Sequence, residues 1–235
     1  MLTKKRSSLL VFSAFLGLLC FWASNAEAVL VTLAGDNVIF TYDDSKLGLF
    51  GTPTVIGDTL NFSPTNFEAE SVNGGGFYLT SCTINIEIQT KSSDRFFGNL
   101  TLLERGDYLI LGSGGSVGVA GALIATNNLD PLGPNVYAPI SSSSNLDIVG
   151  APINPWEAMV NADLTQKGWN SITATLENIL VVSSTLNPSS SFIEKKFEEL
   201  HVSVVPIPEP STLLLACAGL GGLSLFGRKK RGMEN

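Results

Sequence analysis

Cys82-Thr83-Ile84-Asn85-Ile86-Glu87-Ile88-Gln89 decides the fold class. Cys82, Ile84, Ile86 and Ile88 point one way, and Thr83, Asn85, Glu87 and Gln89 the other, because successive side chains of a strand alternate between its faces. The stretch predicts a strand with one face in a core. Ile172, Ala174, Leu176, Leu180 and Val182 repeat the alternation, with Asn178 interrupting the apolar face. Further strands are expected at 29–33, 38–42, 59–62, 116–125 and 200–205. The stretch 99–111 reads as a hairpin, with Glu104-Arg105-Gly106-Asp107 as the turn between Leu100-Thr101-Leu102 and Tyr108-Leu109-Ile110. Ser191-Phe192-Ile193-Glu194 fits a capping box, which would allow a short helix over 192–200, although a strand is the favoured reading.

Turn signals punctuate these segments at short intervals: Gly51-Thr52-Pro53, Asn73-Gly74-Gly75-Gly76, Gly112-Ser113-Gly114-Gly115, Asp130-Pro131-Leu132-Gly133-Pro134 and the stretch 141–145. Many short strands so separated predict an all-β body, a two-sheet sandwich or jelly roll. No repeat of solenoid or propeller period is present.

The body spans 29–205, the size of one domain, between two basic-and-apolar ends. The chain carries a formal charge of −7. Half of its 14 basic residues lie in the ends, while the body keeps 18 of 21 acidic ones, so the body alone stands at −11. Such a surface disfavours nucleic acid and anionic membrane faces. Cys20 and Cys217 fall in the ends, leaving Cys82 alone in the body. One cysteine permits neither an internal disulfide nor a thiolate zinc site.

The N-terminus, 1–28, has the three parts of a secretory signal peptide. Lys4, Lys5 and Arg6 form a positive region, 9–23 an apolar region, and Ala26-Glu27-Ala28 a small-x-small cleavage site. Cutting after Ala28 would expose Val29. The Sec translocon and signal peptidase are the expected partners, the latter reading Ala26 and Ala28.

The C-terminal segment, 206–235, continues Val205-Pro206-Ile207-Pro208-Glu209-Pro210, where alternate prolines fix φ and remove backbone donors, so that 205–210 is expected to stay extended and outside any β-ladder. Ser211-Thr212 offers a cap for an apolar helix over 213–226, and Arg228, Lys229, Lys230 and Arg231 close it. Fourteen residues make roughly 21 Å of helix against a hydrocarbon core of about 30 Å, a short transmembrane helix suited to a transient inner-membrane stop. The basic cluster would stay in the cytoplasm and set the topology, with the body outside.

Pro208-Glu209-Pro210, an apolar stretch and a terminal basic cluster, on a chain with a signal peptide, together resemble the PEP-CTERM sorting signal. The resemblance covers about the last thirty residues and implies recognition by an exosortase, a membrane-embedded cysteine protease that removes the tail. It also implies a Gram-negative bacterium that makes exopolysaccharide or biofilm matrix. The residues after Arg231 depart slightly from the pattern, which often ends at the basic cluster.

Within the body no catalytic constellation is recognisable. His201 is the sole histidine, and no G-x-S-x-G elbow accompanies it. Gly112-Ser113-Gly114-Gly115-Ser116-Val117 has valine where a third glycine or alanine of a dinucleotide loop belongs, and reads as a hairpin loop. Arg105-Gly106-Asp107 spells an adhesion tripeptide but reads first as a turn. Asp36, Asp43, Asp44 and Asp58 are candidate calcium ligands without a recognisable spacing. A glycosidase pair would need two of the eighteen body carboxylates, and nothing in the sequence selects them. Tyr78, Tyr137, Trp156 and Trp169 would stack on sugars if they lined one face; as core aromatics they would not. The reading is an exported, non-enzymatic surface or matrix protein without a cofactor. A carbohydrate-binding module for exopolysaccharide is the first alternative and a matrix polysaccharide hydrolase the second.

Overall fold

The computed structural model describes residues 29–207. Twelve strands follow in order: β1 (Leu30–Ala34), β2 (Val38–Asp43), β3 (Thr54–Ile56), β4 (Thr59–Phe62), β5 (Glu68–Val72), β6 (Gly76–Thr90), β7 (Arg95–Leu111), β8 (Gly115–Asn127), β9 (Val136–Ser141), β10 (Asn154–Asp163), β11 (Ser171–Ser184) and β12 (Ser190–Pro206). One sheet has the order β1-β2-β6-β11-β8-β9 and the other β10-β7-β12-β4-β3, with β5 also pairing β12. Every ladder between these strands is antiparallel. The alternating apolar faces of both sheets meet in one core, where Phe40, Phe50, Phe62, Phe67 and Phe97 are fully buried with Ile84, Ile86 and Ile88. Phe50 packs against Phe62 and Phe67, with ring centroids 5.6 and 6.1 Å away and tilted or edge-on geometry. The body is an all-β two-sheet sandwich.

The expected fold class attached a signal helix and a short transmembrane helix to this sandwich, and there it is corrected. Among the described residues no helix is long and apolar enough to cross a membrane. Their helical content is two 3-10 turns, Asp44–Lys46 and Gly48–Phe50. The segments 1–28 and 213–226, on which both helices were expected, lie outside the described residues, so the fold is stated without them.

The period-two segments form strands as read: 82–89 within β6, 172–182 within β11 and 59–62 as β4. The stretch 192–200 is strand, part of β12. The hairpin at 99–111 is not present. Residues 95–111 form one continuous strand, paired along its length with β12 and over 99–108 with β10. Turn-like composition at 104–107 is overridden because Glu104 faces the core beside a buried cation and Gly106 is needed where it stands. A Cβ there would meet the Glu194 carbonyl oxygen at 1.9 Å and the Trp156 indole Nε1 at 2.7 Å. The glycine-rich loop after Leu111 likewise closes no hairpin, because it carries the chain from one sheet to the other, with Gly112 and Gly114 at positive φ.

The prolines do not keep 205–206 out of the ladder. Val205 pairs with Phe96 and Pro206 with Arg95. Here β12 has β7 on one side only, since β4 ends its pairing at His201, so Pro206 sits at a strand end with an open flank that asks for no donor.

Candidate functional site

The outer surface of the second sheet carries a groove of about 500 Å³ over β10, β7 and the middle of β12. Arg105 and Asp107 stand on the outward side of β7, Pro155 and Glu157 come from β10, and Lys196 comes from β12, with Ser144 of the β9–β10 loop at the rim. That loop is tied down by a bond from the Ser143 amide to the Glu157 carbonyl oxygen at 2.8 Å. Arg105 Nε donates to Glu157 Oε2 at 2.8 Å, and its guanidinium lies 6.0 Å from the centre of the Phe197 ring. Lys196 Nζ donates to Asp107 and pairs with Glu194 Oε1 at 2.8 Å. These hydrogen bonds hold the Lys196 ammonium well above its ordinary pKa. Arg105-Gly106-Asp107 is therefore neither a turn nor a protruding tripeptide; its charged members are engaged across strands.

Lys196 is the extra residue where β12 bulges between Lys195 and Phe197. The extra residue resets the alternation of faces. Lys195 and Glu198, three apart, consequently both point inward, where an unbroken strand would set them on opposite sides. The periodicity of β12 gave no sign of this group. Lys195 Nζ lies 3.0 Å from Glu104 Oε1 and 3.0 Å from Glu198 Oε2, with all three side chains at 0 % exposure. Glu104 and Glu198 are directly opposite in the β7–β12 register. Burial pushes the Glu104 carboxyl up to about 7 despite the opposing pull of Lys195, with the Glu198 charge adding to the rise. Burial raises Glu198 as well. Asn178, the interruption in the apolar face of β11, donates from Nδ2 to Glu198 Oε2 at 2.7 Å. It was the one sequence signal for this cluster.

The other candidates are dispersed. His201 is exposed on β12, its Nδ1 2.9 Å from Thr59 Oγ1. Asp43 accepts from Ser45 N at 3.0 Å and pairs with Lys46 at 3.2 Å. These bonds, led by the Ser45 hydroxyl, lower its pKa. Asp58, beyond the other end of β2, accepts from Asn37 N and Nδ2 at 2.6 Å each. The four aspartates thus divide between opposite ends of a strand and form no single ligand set, and no group of three potential ligands occurs among the described residues. Cys82 is a free thiol, and its Sγ accepts from Leu49 N at 3.4 Å. Trp156 is buried, donating from Nε1 to the Glu194 carbonyl oxygen at 3.0 Å, and Trp169 is half-buried under Lys167. Tyr78 and Tyr137 are exposed, on β6 and β9, separated by β11 and β8. The four aromatics form no row. Ala26, Ala28, Pro208, Glu209, Pro210, Arg228, Lys229, Lys230 and Arg231 lie outside the described residues.

Comparison with known proteins identifies one segment. The PEP-CTERM protein-sorting motif matches residues 206–231. The chain carries this motif, consistent with recognition by an exosortase. No curated protein matches the chain. Among solved structures, one described as the structure of infectious bursal disease virus Gt strain is 12 % identical, with a TM-score of 0.26. The match covers 91 % of this chain and 63 % of the viral one, less than two thirds of its length. A structure described as a study of promiscuous carbohydrate-binding modules from the β-sandwich superfamily is 9 % identical, with a TM-score of 0.24, covering 72 % of this chain and 96 % of that one. Likenesses this loose carry no argument about ligand or activity.

Proposed function

We propose that this PEP-CTERM-bearing β-sandwich is an exported protein, sorted to the cell surface or the surrounding matrix, that holds exopolysaccharide there without cleaving it. The observation that carries the reading is the position of the motif: it begins at Pro206, the last residue of β12, so the sorting signal continues directly from a central strand of the folded body. The signal peptide with its small residues at Ala26 and Ala28 supports export through the Sec translocon and signal peptidase. Pro208-Glu209-Pro210 is the segment an exosortase would engage.

The groove supports polysaccharide as the ligand class. Sugar hydroxyls both donate and accept, and the Arg105–Glu157 and Lys196–Asp107 pairs offer both kinds of partner side by side. The acidic body repels polyanions, so neutral or amino-bearing polymers fit it better than acidic ones. The pair most like a hydrolase's acid and base, Glu104 and Glu198, is sealed in the core, which favours binding over cleavage.

The test is binding of the exported protein to arrayed neutral, amino-bearing and acidic polysaccharides. Losing a charged hydrogen bond costs about 1.5–3 kcal/mol, so Arg105→Glu with Lys196→Glu should weaken retention by roughly tenfold or more. A folded protein that binds none of the polymers would leave a purely structural matrix protein as the better reading.

Sorting has its own expected result. Glu209→Gln, or Pro208→Ala with Pro210→Ala, should leave export intact while protein retaining 206–235 accumulates, as should deletion of the host exosortase. Mass spectrometry of the surface fraction reads both ends, with Val29 expected first. A tail still attached and a distribution unchanged by the deletion would mean that the motif is not used for processing.

A further inference from the structure

The buried cluster of Lys195, Asn178, Glu198 and Glu104 serves neither the groove nor the tail, and its geometry is that of a reaction. Lys195 Nζ and Asn178 Nδ2 both lie within hydrogen-bonding distance of a single oxygen, Glu198 Oε2, at 3.0 and 2.7 Å. The Phe67 ring stands 5.1 Å from Nζ, and Lys195 and Glu198 have no exposed side-chain surface. Beside Asn178 on β8 is Gly121, where a Cβ would meet the Glu177 carbonyl oxygen at 1.9 Å, so no side chain intervenes there. Three buried oxygens of the cluster lack a hydrogen-bond partner, Glu104 Oε2, Asn178 Oδ1 and Glu198 Oε1, while Glu104 Oε1 faces the Lys195 ammonium at 3.0 Å. Native interiors seldom leave such groups unpaired.

We propose that Lys195 and Asn178 are joined by an intramolecular amide bond that the folded chain forms on itself. Glu198 takes a proton from the Lys195 ammonium, which it touches, and the freed amine adds through its lone pair to Asn178 Cγ. Burial favours the protonated form of Glu104, which in that form donates to Oδ1, the acceptor without a partner, and stabilises the charge developing on that oxygen. Glu198 then passes its proton to Nδ2, which it already contacts. The Cγ–Nδ2 bond breaks as the carbonyl re-forms, and ammonia leaves. Glu198 removes the surplus proton from the new amide nitrogen and yields it to the ammonia. In balance, an ammonium and a primary amide become a secondary amide and an ammonium ion, and no oxidant, reductant or water is consumed. Exclusion of water and fixed proximity drive the step, and both follow from placement between the sheets. The bond links β11 of one sheet to β12 of the other, the strand that continues into the sorting motif.

Peptide mapping of the exported protein tests this. Denatured chain is digested with a protease that cuts after glutamate, and cleavage after Glu177, Glu194 and Glu198 separates Asn178 from Lys195. The expected product is the 178–194 and 195–198 peptides joined, lighter than their sum by the one ammonia lost, about 17 Da. The same two peptides recovered separately at their sequence masses, from fresh and aged protein alike, would overturn the proposal. So would a gain of about 1 Da on the 178–194 peptide that fragmentation places on Asn178 and not on Asn187, the mark of Asn178 hydrolysis instead of bond formation. Asn178→Ala should abolish the joined mass, and its persistence there would place the bond elsewhere and refute the assignment. Should that variant fail to fold, the wild-type map decides alone.

Discussion

Lys195→Met is expected to lower the unfolding free energy by roughly 3–5 kcal/mol relative to freshly folded chain whose Lys195 amine is still free, read as a fall in denaturant midpoint with little change in slope. The wild-type lysine stands 3.0 Å from each of two carboxylates that have no exposed surface. Removing it leaves Glu104 and Glu198 opposite each other across the β7–β12 ladder with no cation between them. Desolvation that the ammonium had offset is then uncompensated, and the two like charges repel. Methionine fills a similar volume, so against chain that has not formed the Lys195–Asn178 bond the loss reports the charge and not a cavity. Adding Glu104→Gln and Glu198→Gln to Lys195→Met should recover much of the stability, because neutral amides can bond to each other and to Asn178. A single variant as stable as the wild type would mean that the lysine does not neutralise the pair.

The second large effect is a loss of stability as pH rises across the neutral range. Glu104 is pushed from an ordinary 4.5 up to about 7, chiefly by burial. Lys195 lowers it and the Glu198 charge raises it, while Asn178 faces it from the opposite sheet. A carboxyl with a raised folded-state pKa binds more protons folded than unfolded. Its stabilising contribution is complete below about 4.5 and is withdrawn as pH climbs toward about 7, amounting to about 3 kcal/mol for a shift of this size. Glu198, raised for the same reason, acts with the same sign. Unfolding curves from pH 4.5 to 8 should therefore show declining stability, and Glu104→Gln should flatten the decline. A stability that instead rises over this range would contradict the burial-driven shift.

The groove and the cluster were unequally legible. Strands β6 and β11 stand out because one face of each is buried, and burial writes a period of two into any strand of that length. The turn at 73–74 and the loop after Leu111 are marked by residues that tolerate positive φ, a local requirement visible locally. The stretch 104–107 misled because a charged pair around a glycine has turn composition. Its native conformation depends on Lys195 and Trp156, which lie 90 and 50 residues further along the chain. The aromatic candidates failed for a related reason: exposure belongs to the assembled sheets, and Trp156 is drawn inward by the space over Gly106 and the acceptor on Glu194.

By itself the sequence determined the β-class of the body, the positions of its most regular strands, and the sorting motif at 206–231, whose recognition rests on contiguous residues. Only the tertiary structure decided that 95–111 is one strand, that a bulge turns Lys195 and Glu198 to the same side, and that Asn178 meets them from the other sheet. The division follows the range of the forces involved. Alternation, proline and glycine act between neighbours along the chain. Pairing of a buried charge is settled by whichever distant strand the fold lays across it, and one inserted residue is enough to reverse which face that strand presents.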